Sequence, residues 1–591
     1  MSGIAGFLHV DARPAEEALL QRMTLAMHYR GPDGMRHWCR GAVALGHCAL
    51  VTTSEQLGEV QPLRNESGGV VLVFDGRLDN RAELRRELFS SGVRLREDTD
   101  AELVLSAYEK WEADCVLHME GEFALVLWDA RSRSAFCARD RMGIRPFHYH
   151  WNGTTFTFAS DVHAVLAMPW VPQELNAGMV AEALAFDHLS LSETFWRGVL
   201  RLPAATSMMV TAEGLRERRY WEPDPALQLP CRSDDDYVQY HRELLHEVVQ
   251  RQSRSHEPLA CEVSGGLDSS ALFAVGHALL REGKLPAPAL HGFAMSFSDE
   301  LADESAYRIA LREHLGESIR EVAPGRYPVS WYQQYGATYR DFAGYPNWTM
   351  IRPLYAAART QGCRVILSGT GGDEWLGAVD DDWRSMGLVR WLAWEVLPER
   401  WKRWVRYRRG LPVPSAWLSR EFTRSLGGRR ARVESGGGGI RSMQLEVLRD
   451  AFGQFGRDLA ERQAAMCGIE RRQPFWDRRI VEAAFATPER LRSASGEDKW
   501  LHRRAMEGLL PRAILERDDK ANFLIMAKQQ RPELTEALQI TLARRTSWVR
   551  AERVRPPSEY VGRGALADFA QWALLMADAL EPRPLGADQP G

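Results

Sequence analysis

Two glycine-rich stretches are the parts of this 591-residue chain best suited to chemistry. The first, Ser264-Gly265-Gly266-Leu267-Asp268-Ser269, follows a short apolar run and opens a helical pattern. Adjacent glycines let a backbone approach an anion closely, and the helix behind them aims unpaired N–H groups and a positive dipole end at the loop. Ser264, Ser269 and Ser270 add hydroxyl donors. Asp268 would repel a bare phosphate, so its presence implies a bridging Mg²⁺. The loop lacks the lysine of a Gly-x-x-x-x-Gly-Lys-Ser/Thr motif. The second stretch, Ser368-Gly369-Thr370-Gly371-Gly372-Asp373-Glu374, again sets a carboxylate behind glycines. Asp268 and Asp373 are therefore expected to hold Mg²⁺ between them on the triphosphate of ATP. A third part is Lys520, in Arg517-Asp518-Asp519-Lys520-Ala521-Asn522-Phe523. A cation there can reach the α-phosphate and stabilise charge that develops during adenylation. Lysine is scarce: Lys110, Lys284, Lys402, Lys499, Lys520 and Lys528 stand among 75 basic residues, so each is conspicuous.

These residues need elements to carry them. From about residue 235, strands alternate with helices: a helical pattern from Asp236 to Ser253, a strand Leu259 to Val263, the first glycine loop and a helix through Leu280. A strand Leu290 to Phe297, a helix from Ser305 and a strand Arg364 to Leu367 follow, the last ending in the second loop. A further helical segment is expected from Lys499 to Leu510. Such alternation implies an α/β, doubly wound parallel sheet, and ligands bind beyond the carboxyl ends of its strands. Residues 1–210 read instead as strand-rich, with runs such as Gly69 to Phe74 and Phe123 to Trp128, and with helical patterns at Arg81 to Phe89 and Ala101 to Trp111. The Pro-containing link Tyr220 to Pro225 is a plausible boundary, dividing the chain into 1–215 and 230–591. Residues 380–425 are rich in Trp and Arg and read as helical; Ser435 to Gly439 reads as a mobile loop, and the tail after Pro582 as frayed.

Composition excludes several classes. Hydrophobic and charged fractions of 45% and 26% are those of an ordinary globular protein. A net charge of −4 gives no field that would draw nucleic acid or a membrane surface. The eight cysteines contain no Cys-x-x-Cys pair, which disfavours a zinc ribbon or redox motif, and their scatter fits a reducing, cytoplasmic setting. No apolar run approaches the ~18 residues of a membrane span.

The first loop resembles that of the N-type ATP pyrophosphatases, and the order of motifs resembles the asparagine synthetase family over roughly residues 1–530. The resemblance implies an Ntn-hydrolase-like αββα sandwich, followed by an ATP pyrophosphatase domain with extra helices. It implies that Ser264, Gly265, Gly266, Asp268 and Ser269 grip pyrophosphate and that Asp268 and Asp373 are the Mg²⁺ ligands. It places Ser368 and Gly369 on the adenosine side, Met295 beside the base, and Lys520 at the adenylation transition state. The N-terminal half is similar to the family's glutaminase domain through Arg30-Gly31-Pro32-Asp33-Gly34, Asp75-Gly76-Arg77-Leu78-Asp79-Asn80, Thr99-Asp100-Ala101-Glu102 and Arg139 to Pro146. Two residues depart from the family pattern. Ser2 stands where the nucleophilic cysteine is expected, and Asp75 replaces the asparagine of the oxyanion hole. Two losses in one site imply a catalytically inactive scaffold.

Without a glutaminase the nitrogen must come from ammonia or an amine. Asparagine synthetases carry Glu, and β-lactam synthetases Tyr, where this chain has Thr370. The favoured expectation is a lasso peptide cyclase. It would adenylate an Asp or Glu side chain of a core peptide, and the peptide's own N-terminal amine would close a macrolactam, with proximity of the two ends promoting closure. A leader-binding protein and a leader peptidase are the partners this implies. An ammonia-dependent asparagine synthetase, a β-lactam synthetase-like enzyme and a non-catalytic scaffold are the alternatives. Trp394, Trp401, Trp404 and Tyr407, with neighbouring arginines, could wall a peptide site, but an amphipathic helix packing its Trp face inward is the favoured explanation, and they are not counted among the site residues.

Overall fold

A computed structural model of the protein describes residues 1–224, 226–298, 302–377, 417–433, 440–494, 497–519, 521, 523, 526, 529–545, 547–554 and 565–580. Lys520, the Trp/Arg-rich stretch 380–416 with Trp394, Trp401, Trp404 and Tyr407, the glycine run 435–439 and the tail after Pro582 lie outside these residues.

In the N-terminal half, period-two patterning produces strands, the central ones buried on both faces and the edge strands partly exposed. The strands are β1 (Gly3–His9), β2 (Met35–Arg40), β3 (Val43–Cys48), β4 (Leu63–Arg64), β5 (Val70–Leu78), β6 (Gly121–Asp129), β7 (Ser134–Arg139), β8 (His148–Trp151), β9 (Thr155–Ala159), β10 (Val199–Arg201), β11 (Thr206–Thr211) and β12 (Gly214–Arg219). They form two antiparallel sheets, β10-β8-β9-β1-β3-β2 and β12-β11-β7-β6-β5-β4. Along β5, Val70, Leu72 and Phe74 pack with helical residues such as Leu84, Leu88 and Leu103. Val71 and Val73 pack instead with Ile4, Leu45 and Phe158 of the other sheet. One strand thus serves both an outer and an inner core, as alternation on a pleated sheet requires. Leu20 and Met23 of the Glu17–Ala26 helix cover the outer face of the first sheet. The result is an αββα sandwich.

The second half holds the parallel sheet: β13 (Leu259–Glu262), β14 (Leu290–Met295), β15 (Ile319–Val322), β16 (Val365–Leu367) and β17 (Glu470–Arg472), in the order β15-β14-β13-β16-β17. The helix before β13 runs Asp234–Gln252, two residues earlier than expected, because Ser233 caps it by accepting from the Asp236 N–H. β14 stops at Met295, and the expected helix after Lys499 spans only Trp500–Ala505 before the chain turns. The chain leaves β13 towards β14 and β15 and later returns on its other side through β16 and β17. The switch point therefore lies between β13 and β16, where the crevice opens.

Charged side chains join the halves as well as an apolar cluster. Trp196 and Phe195 share a core with Tyr332, Phe342, Phe455 and Trp572. Arg30 pairs with Glu461 at 2.6 Å, Arg139 and Arg201 meet Asp458 at 2.8 and 2.6 Å, and Arg462 reaches Asp161 at 3.1 Å. Glu470 receives Arg145 at 2.9 Å, Arg77 at 3.1 Å and Arg472 at 2.8 Å. Among the described residues no helix is long and apolar enough to cross a membrane.

Candidate active site

The end of β13 delivers Ser264 into a tight turn in which Gly265 has φ +105, a conformation that favours glycine. The Leu267–Arg281 helix starts directly after it. Ser264 and Ser269 organise the loop from within. Their Oγ atoms lie 2.9 Å apart, Ser269 Oγ accepts from the Ser264 N–H at 3.1 Å, and Ser264 Oγ accepts from the Gly266 N–H at 3.0 Å. The second loop rests directly on the first. A Cβ at Gly372 would lie 2.3 Å from Asp268 Cγ, so glycine there permits the close approach.

The two loops enclose a cleft of about 410 Å³, within the size class of small-molecule sites. Ser264, Gly266, Asp268 and Ser269 line one side, and Ser368, Gly369 and Asp373 another. Met295 joins them beside Phe293, Ile351 and Leu354, which give that end an apolar wall. Gly265 is turned away and backs on Glu304. The structure thus gathers the expected ligand-binding residues that it describes, apart from Gly265, at the carboxyl end of the parallel sheet.

Several residues escaped the sequence reading. Lys499 Nζ lies 2.5 Å from Asp268 Oδ2 and 2.6 Å from Asp373 Oδ1, so one buried ammonium ties the two loops together. Burial alone would lower its pKa; the two carboxylates outweigh that and hold it above the usual lysine value. The scarcity of lysine was the one signal that could have singled it out. Arg517 forms a 2.5 Å ion pair with Glu304 and covers the Tyr307 ring at 4.2 Å, while Tyr307 Oη donates to Asp519 at 2.9 Å. These contacts fix the chain immediately before Lys520. Glu262 and Arg471 also approach the second loop: Ser368 Oγ donates to Glu262 at 2.6 Å, and Arg471 donates to the same hydroxyl at 2.7 Å.

The N-terminal half presents a different picture. Leu50 N–H donates to Ser2 Oγ at 3.0 Å, and that hydroxyl donates to the Leu50 carbonyl at 3.3 Å. Asp75 is buried, neither carboxylate oxygen has a hydrogen-bond partner among the described residues, and Arg145 stands 3.6 Å away. Burial pushes its pKa up to about 6, against the pull of Arg145. Arg145 itself is engaged with Glu470 of the other half.

Comparison with known proteins agrees with both halves. The glutamine amidotransferase domain family matches residues 1–221, and the asparagine synthase family matches residues 241–577. Asparagine synthetase [glutamine-hydrolyzing] 3 of Bacillus subtilis is 26% identical over 545 residues, spanning 88% of this chain and 86% of that protein. A putative asparagine synthetase [glutamine-hydrolyzing] 2 of Methanocaldococcus jannaschii is 24% identical, spanning 64% and 75%. Amidase chyE of Penicillium rubens is 27% identical, spanning 64% and 59%. Among solved structures, the glutamine phosphoribosylpyrophosphate amidotransferase of B. subtilis aligns with 62% of this chain and 81% of its own, at a TM-score of 0.28 and 14% identity.

Proposed function

Because the chain belongs to the asparagine synthase family, whose domain indicates ATP-dependent amide formation, we propose that it activates a side-chain carboxylate of a core peptide as an acyl-adenylate. The peptide's N-terminal amine then displaces AMP and closes a macrolactam, as in lasso peptide cyclases. The observation that carries this reading is the condition of the N-terminal half. The Ser2 hydroxyl is engaged by the Leu50 backbone, and a buried carboxylate, Asp75, occupies the position that the family resemblance assigns to an oxyanion donor. A site so arranged is poorly suited to release ammonia from glutamine. An amine already present in the substrate removes that need and reacts with the advantage of proximity. A leader-binding protein and a leader peptidase would supply the free core peptide.

The cleft's own groups divide the work. Ser264, Ser269 and the N–H groups at the helix start bind pyrophosphate. Met295 and the apolar wall take the base, with Ser368 and Gly369 on the adenosine side. Asp268 and Asp373 suit Mg²⁺, because two carboxylates touched by one ammonium are close enough to share one hard cation. Among the described residues no three His, Cys, Asp or Glu side chains cluster as metal ligands. Two protein carboxylates would leave the ion's remaining positions to phosphate oxygens and water. Bound there, Mg²⁺ supplies charge neutralisation on the triphosphate. Lys520 is assigned to the charge that develops at the α-phosphate.

With ATP and a linear peptide that carries a free N-terminal amine and an internal Asp or Glu, the enzyme is expected to yield AMP, pyrophosphate and a peptide lighter by one water, read by mass spectrometry. Asparagine formed from aspartate and ammonia, with the peptide untouched, would replace this reading by an ammonia-dependent synthetase. Ser2→Cys is expected to release no glutamate from glutamine, because Asp75 still faces the oxyanion position. Glutamate release above the unmodified protein's background would show that the pocket is intact.

A further inference from the structure

The second loop contains a chain of hydrogen bonds that runs along the cleft wall to a carboxylate, Glu262. Thr370 is exposed at the cleft wall, and its Oγ1 lies 3.1 Å from Oγ of buried Ser368. Ser368 Oγ lies 2.6 Å from Glu262 Oε2. Tyr355 Oη donates to the other carboxylate oxygen at 3.2 Å. Arg471 donates through Nη2 to both the Ser368 and Thr370 hydroxyls, and its Nε stands 3.6 Å from Glu262.

Arg471 gives this chain a direction. A guanidinium only donates, so each hydroxyl oxygen must accept from it and turn its own proton elsewhere. The Ser368 proton is left to point at Glu262, which when ionised can only accept. The Thr370 proton is left to point at Ser368. Glu262 and Ser368 meet between β13 and β16, at the switch point where the ligand crevice opens.

We infer that Thr370, Ser368 and Glu262 form a proton relay that takes the proton from the attacking amine, with Glu262 as the terminal acceptor. The inference rests on the reading of the cleft as an amide-forming site. As the amine nitrogen bonds to the acyl carbon, the bond from that carbon to the AMP oxygen breaks and AMP leaves with its electron pair. The proton on nitrogen passes to Thr370 Oγ1 while the Thr370 proton moves to Ser368 and the Ser368 proton to Glu262. The products are the amide, AMP and a protonated Glu262, which returns its proton to water after release. The carboxylate that position 370 does not supply is thereby provided from two hydrogen bonds away.

The test separates adenylation from acyl transfer. ATP–pyrophosphate exchange reads the first, and amide formation reads both. The probes are a linear peptide that carries a free N-terminal amine and an internal Asp or Glu and, in parallel, L-aspartate with ammonia. Whichever carboxylate supports exchange in the unmodified enzyme is used thereafter. Glu262→Gln and Thr370→Val are each expected to slow amide formation about a hundredfold or more, the scale of a lost general base. Exchange and MgATP affinity by calorimetry should hold, and hydroxylamine, which needs little help from a base, should still trap the acyl group. If Glu262→Gln slows exchange as much as amide formation, or weakens MgATP binding to match, Glu262 is a nucleotide contact and the relay is overturned. If neither carboxylate supports exchange in the unmodified enzyme, the adenylation reading fails and the relay falls with it.

Discussion

Replacement of Asp268 by alanine is expected to lower AMP release by about a hundred- to a thousandfold, the scale on which removal of one preorganised electrostatic group acts. Asp268 is the point at which three parts of the cleft meet. It belongs to the first glycine loop, its Cγ lies where a side chain on Gly372 would have to go, and Lys499 reaches it at 2.5 Å. In the variant, Lys499 keeps only Asp373, and the pair of carboxylates that suits a shared cation is gone. Single-turnover AMP formation at saturating ATP is the measurement, with the unfolding temperature as a control for folding. AMP release at the unmodified rate would show that the acidic glycine loops are not the adenylating site.

The largest effect on stability is expected at Glu470→Ala. Glu470 is fully buried between the halves and is held by Arg472, Arg145 and Arg77, with Thr52 donating to it at 2.7 Å. Its removal leaves buried guanidinium groups without their shared partner, a change that costs about 3–5 kcal/mol. Burial by itself would raise the Glu470 pKa, but the arginines overcome it and hold the carboxyl well below the usual range. The sign of the pH dependence follows. A group whose folded pKa is depressed binds its proton more readily in the unfolded chain. Its contribution is therefore complete above the ordinary glutamate value of about 4 and is lost as the pH falls through the folded value. Asp161, depressed in the same direction by Arg30 and Arg462 against the effect of burial, adds to this. Thermal unfolding from neutral to acid pH should show a much larger difference between the unmodified protein and the variant at neutral pH than in acid. A constant difference across that range would remove Glu470 as the source of the linkage.

Much of the framework is legible in the amino-acid sequence. Both glycine loops, the strands that carry them and the alternation of the outer sandwich are local features, set by turn chemistry and periodicity. The third and fifth strands of the parallel sheet were not legible. β17 is Glu470-Arg471-Arg472, three charged residues that are all buried, and no apolar pattern marks it. It can be buried only because Glu470, Arg471 and Arg472 find partners such as Arg145, Ser368 and the Gln252 carbonyl.

The candidate site divides in the same way. The amino-acid sequence by itself determined the loops, their serines, Asp268 and Asp373, because their meaning lies in spacing along one strand-turn-helix unit. Tertiary structure alone decided that Lys499 bridges those two carboxylates, that Arg145 of one half is spent on Glu470 of the other, and that Thr370 connects through Ser368 to Glu262. Each of these joins side chains that lie far apart in the sequence, and each is fixed by the need of a buried charge or hydroxyl for a partner. Such a need states that a partner exists without saying where in the chain it is.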